Sequence, residues 1–97
     1  MAKINVKVIS ENDVLSPVGG KKVGEKIIAE KGSRPIILDF QDSGSHTSLF
    51  FNAMFNALRN FPEIDINQDI KLENETPLDV DTYKRSKDNF LNKLGRA

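Results

Sequence analysis

One histidine, no cysteine and a cluster of hydroxyls define the chemistry open to this chain. His46 stands in Asp42-Ser43-Gly44-Ser45-His46-Thr47-Ser48, a stretch with four hydroxyl residues and a glycine. Ser48, His46 and Asp39 can be drawn as a nucleophile, base and acid on proximity alone. Two of the three sit on one short loop, however, and nothing in the pattern supplies an oxyanion hole. A lone histidine does not make a metal site. Without cysteine there is no thiolate catalysis, no disulfide and no cysteine zinc site. Ser16-Pro17-Val18-Gly19-Gly20-Lys21-Lys22 approaches a phosphate loop, but its first glycine and the hydroxyl after the lysine are missing. The expectation is a chain that is not an enzyme and uses no cofactor or metal.

The hydroxyl loop still has a place where it could act. It lies between an apolar strand and the start of an apolar helix. The C-terminal end of a central parallel strand is where open α/β sheets put their sites. A helix N-terminus offers free N–H groups and a positive dipole end to an anion or phosphate. Capping and turn formation use some of these hydroxyls, and four exceed what one cap needs.

The elements that must position this loop read as follows. Lys3–Ile9 alternates polar and apolar residues and predicts an edge strand with one wetter face. Ser16-Pro17 starts a helix that runs to Lys31, with Gly32 as its stop. Gly20 and Gly24 lie on one side of it with Ile27 and Ile28. Each costs roughly 1 kcal/mol relative to alanine in a helix interior, which points to close approach of the backbone to the sheet, or to a ligand or partner. Pro35–Phe40 has consecutive apolar residues and predicts a central strand buried on both faces. Thr47 or Ser48 then caps a helix to about Asn60, closed by Pro62. A strand follows at Asp69–Asn74. A last helix opens at Asp79 or Asp81 and reaches Leu94, with an apolar stripe of Val80, Tyr83, Phe90, Leu91 and Leu94. The order is β-α-β-α-β-α, an α/β fold with a largely parallel sheet.

Ninety-seven residues fit one domain, 1–97. Formal net charge is zero, so no nucleic acid is expected as partner. The longest apolar run, Leu49-Phe50-Phe51, is far below the roughly 20 residues that span a bilayer. No signal peptide is evident, and a cysteine-free chain suits the cytoplasm. Charge is uneven. Glu63–Asp81 holds seven acids and one base, and Thr82 to Ala97 holds five bases and one acid. This is either a solvated surface with a helix-end bias or a docking dipole. The helix after the loop is apolar on more than the roughly 100° stripe that one sheet face needs. Its polar ridge is Asn52, Asn56 and Arg59, nearly free of charge, as interface cores are.

Ile36-Ile37-Leu38-Asp39-Phe40, a short loop, then Thr47-Ser48-Leu49-Phe50 entering an apolar helix resembles the STAS-like family of small bacterial domains, related to anti-sigma-factor antagonists. The resemblance implies a non-catalytic regulatory module that binds a histidine-kinase-type ATPase or other regulatory protein. It implies that Ser48, with Thr47 beside it, stands where a switch serine is phosphorylated. Thr47 takes the place of the usual aspartate, and Leu49 and Phe50 replace the usual serine and glycine. Asp39, Phe40 and Phe50 carry the motif. Partner contacts are expected from Ser45, His46, Leu49, Phe51, Asn52, Phe55, Asn56 and Arg59, and a homodimer is allowed. The alternatives are an assembly subunit of a phage or defence complex and a small phosphate- or nucleotide-binding domain.

Overall fold

Ile36–Asp39 (β2) is the middle strand of a three-stranded sheet, flanked by Ala2–Asn5 (β1) and Ile70–Glu73 (β3), with both pairings parallel. The computed structural model describes residues 1–95; Arg96, one of the five C-terminal bases, lies outside the described residues. The helices are Val6–Ile9 (α1), Pro17–Ala29 (α2), Ser48–Ala57 (α3), Ile66–Asp69 (α4) and Pro77–Lys93 (α5). The α/β order and the parallel sheet are as expected, with β2 in the centre.

The sheet is buried on one face only. The register sets Ile4 beside Leu38 and Leu38 beside Leu72, with Ala2, Ile36 and Ile70 in the next row on the same face. These side chains join the core. The other face carries Lys3, Ile37 and Lys71 in one row and Asn5, Asp39 and Glu73 in another. Ile37 is only half-buried, so the expectation of a strand covered on both faces is corrected. An apolar pair such as Ile36-Ile37 does not by itself distinguish one covered face from two.

Several boundaries also differ. β1 ends at Asn5, whose side chain caps α1 by accepting from the Val8 N–H at 3.1 Å. Val6 and Ile9 then turn inward at helical spacing, and Val8 is left 65% exposed. Ile4, Val6 and Val8 alternate, but Val6 and Ile9 also stand three apart, the helical step that the chain takes here. The turn α4, capped by Asp65, was not expected before β3. α3 stops at Ala57 rather than near Asn60. α5 begins two residues before Asp79, because Thr76 caps it and Pro77 takes the first helical position.

The glycines of α2 have a specific reason. A Cβ on Gly24 would come within 2.6 Å of the Ala57 Cβ and 2.7 Å of the Met54 oxygen, and one on Gly20 would overlap the Phe50 carbonyl oxygen. The backbone therefore approaches α3, a neighbouring helix, and not the sheet or a ligand. Beneath α3, Phe50, Phe51, Met54 and Phe55 are fully buried, and their rings continue through Tyr83 to Phe90.

Much of the charge asymmetry is consumed internally. Glu63 pairs with Lys31, Asp69 with Arg34 and Glu73 with Lys3. Asp65 caps α4, and Asp79 is buried.

Candidate functional site

The loop from Phe40 to Thr47 is held from three sides. At its start, the Asp39 carboxylate accepts from the Asn74 side-chain amide at 2.8 Å and from the Gln41 N–H at 3.0 Å. Lys3 lies 3.8 Å away. The Asn74 amide, then the Gln41 N–H, hold the Asp39 carboxyl below the usual carboxylate range, with Lys3 adding a smaller effect. The native state thus favours ionised Asp39. Its contribution to stability is complete above the unfolded-state value of about 3.9 and is lost as pH falls through the lower folded value. Acid titration of the melting temperature should therefore show a downturn below about pH 4 that is shallower in Asp39→Asn. An unchanged profile in that variant would remove Asp39 as its source.

At its end, Thr47 is the N-cap of α3. Its hydroxyl accepts from the Phe50 N–H at 3.3 Å and donates to the Leu15 carbonyl at 2.8 Å. The start of α3 is thereby tied to the residues that precede α2. Thr47 is half-buried and fully occupied in this way, whereas Ser48, at the first helical position, is exposed.

The middle of the loop folds inward onto α5. The His46 ring nitrogen Nδ1 lies 2.8 Å from Asp79 Oδ2, and the His46 backbone N–H donates to Asp79 Oδ1 at 2.7 Å. On the far side of the ring, Nε2 lies 2.8 Å from the Ser43 hydroxyl. The tautomer that satisfies all three groups carries its hydrogen on Nδ1 and accepts from Ser43 at Nε2. Phe40, Phe50 and Phe51 surround the ring at centroid distances of 5.1, 4.8 and 5.8 Å. The His46 side chain has 0% exposure and that of Asp79 1%. Ser43, His46 and Asp79 have the order of a nucleophilic relay, but a ring closed on every side cannot pass a proton to a leaving group. Here the chain of hydrogen bonds acts as a buried pin between loop and helix.

Sequence reasoning placed His46 on a contact surface and Asp79 at a helix start; the pin corrects the first and reassigns the second. Ser43 was counted among the hydroxyls without a role of its own. The signal was the spacing Asp79, Thr82, Tyr83, Ser86, a buried stripe at helical steps with polar members. Val80, assigned to the apolar stripe, is instead 47% exposed.

Phe51 and Phe55 are also corrected. Both are wholly buried, as is Phe50, and none can meet a partner. Ser45, Ser48, Leu49, Asn52, Asn56 and Arg59 remain on the surface. Leu49 is 56% exposed, and Asn52 accepts from the Ser86 hydroxyl. A groove runs beside this ridge between Pro17 of α2 and Asn89, Phe90 and Lys93 of α5, floored by Ala53.

Fold and site together define a small parallel α/β domain whose strand–loop–helix presents a hydroxyl and a polar-apolar ridge beside a buried pin. The chain belongs to the STAS-like domain family: residues 19–80, well over half of its length, match the family described as STAS-like domain of unknown function (DUF4325). No curated protein matches, and no solved structure does. Among the described residues no helix is long and apolar enough to cross a membrane.

Proposed function

We propose that this domain is a regulatory interaction module that acts by binding, with its contact surface on the outer ridge of α3 and Ser48 at the edge of that surface. The observation that carries this reading is the division of α3 into two faces. Phe50, Phe51, Met54 and Phe55 are spent on the core, yet Leu49 stays 56% exposed beside Asn52 and Asn56. Leu49 is continuous with Pro17, Ala53 and Phe90 of the groove, and an apolar patch bordered by uncharged carboxamides suits a contact that is covered part of the time. The partner in this reading is a kinase-type ATPase, by analogy with the anti-sigma-factor antagonists that the strand–loop–helix motif resembles. Ser48 is the hydroxyl suited to modification, because Thr47 is engaged on both sides. A phosphate there would add about −1.5 to −2 charges at the N-terminus of α3, next to the ridge.

The test compares variants of the tagged chain expressed in its source cells, with captured proteins identified by mass spectrometry. Leu49→Asp and Ser48→Glu should lose a kinase-type ATPase that Ser48→Ala retains, with all three folded by circular dichroism. Phe51→Asp should unfold the domain, since it buries a charge in a closed core. Incubation of the purified pair with ATP should add one phosphate to the chain and none to Ser48→Ala. Capture unaffected by Leu49→Asp would place the contact elsewhere.

A further inference from the structure

We propose that the groove over α3 accepts an acidic amphipathic helix of the partner protein. The inference rests on the binding reading above and assigns the chemistry of the occupant.

Three observations lead to it. Leu49, Ala53 and Ala57 follow one another at four-residue steps along α3, and all three line the groove or its continuation toward α2. Eight residues of α-helix span about 12 Å, which matches two turns of an incoming helix with apolar anchors at i, i+4 and i+7. Asn52 and Asn56 run alongside and offer hydrogen bonds at the border of the strip.

Charge selects the sign of the occupant. Lys93 lines the α5 side and Lys21 the α2 side, and no carboxylate lines either part. Among the described residues neither lysine has a carboxylate within the 4.0 Å of an ion pair, whereas six other bases are paired this way with seven acids. In a chain with 14 acids and 14 bases, a groove with two free ammonium groups and no acid has a definite polarity. Such rim charges set partner choice and association rate. A second copy packed groove to groove would bring the same lysines and no counter-charge, so the groove does not suit a symmetric pairing of this kind.

The test uses the whole chain, 15N-labelled, titrated with two synthetic amphipathic helices. Both carry leucines at i, i+4 and i+7; one has flanking glutamates and the other lysines. The glutamate peptide should shift the amide resonances of Leu49, Ala53, Ala57 and Lys93, and the lysine peptide should not. Lys21→Glu with Lys93→Glu should weaken the glutamate peptide about tenfold and admit the lysine peptide. Equal shifts with both peptides, or with neither, overturn the proposal. So does a concentration-dependent dimer in sedimentation that Leu49→Asp dissociates, which would make a second copy the occupant. If a kinase-type ATPase is captured and lost on Leu49→Asp while neither peptide binds, the acidic-helix chemistry fails and the binding reading stands.

Discussion

Alanine at Gly20 should lower the unfolding free energy by about 3 kcal/mol, near the upper end of overpacking effects. The added methyl would overlap the Phe50 carbonyl oxygen, and that atom belongs to the backbone of a helix whose other face is core. No rotamer change can relieve it. Either α2 lifts or α3 shifts, and both loosen a tightly packed interior. The better helix propensity of alanine returns only about 1 kcal/mol. For a domain of this size the loss corresponds to a fall in melting temperature of about 15 °C. Gly32→Ala is the control, since a Cβ there meets nothing within 4 Å, and it should stay within about 0.5 kcal/mol of the parent. Urea midpoints with unchanged slopes would measure both. A Gly20→Ala variant as stable as Gly32→Ala would show that the two helices are not in backbone contact.

Removal of Asp79 has the second large effect. Asp79→Ala leaves the His46 backbone N–H and ring N–H without acceptors in a place closed to water. Breaking a buried polar pair from one side costs about 3–5 kcal/mol, mostly the desolvation of the group left behind. Against a total of roughly 5–15 kcal/mol this brings the domain close to unfolding. Ser43→Ala removes one outer hydrogen bond and should cost about 1 kcal/mol. A double-mutant cycle between His46 and Asp79 isolates the pair, and a coupling below about 0.5 kcal/mol would mean that the pin contributes little.

The parts of this molecule that were legible in its sequence are those set by local rules. Ser16-Pro17 starts α2 because a capping hydroxyl and a first-position proline act within a few residues, and β2 is centred by its apolar composition. The parts that were not legible depend on contacts between distant residues. Whether Phe51 faced a partner or the core was undecidable from α3 alone, because α5 supplies the Tyr83 ring that covers it. His46 looked like an exposed loop residue until Asp79, 33 positions away, was seen to enclose it. Gly20 and Gly24 announced a close approach, but only the placement of α3 says what approaches. At the candidate site, the strand–loop–helix motif singles out Ser48 and Leu49, and both lie exposed, while the groove beside them needed α2 and α5 in place.

The reach of the pin has a consequence for how the domain is made. A chain leaving the ribosome completes β2, the loop and α3 well before Asp79 is synthesised. Until then the His46 ring and amide have only water as acceptor, and the loop that leads into Ser48 is held by its Asp39 and Thr47 contacts without the pin. The loop beside the surface proposed for the partner is thus pinned late, after the connection at 74–76 has brought α5 back against it. A nascent or truncated chain that ends before residue 79 should expose Phe50 and Phe51 and aggregate or be degraded before it can bind. Closure of the pin in this small domain thus waits for α5.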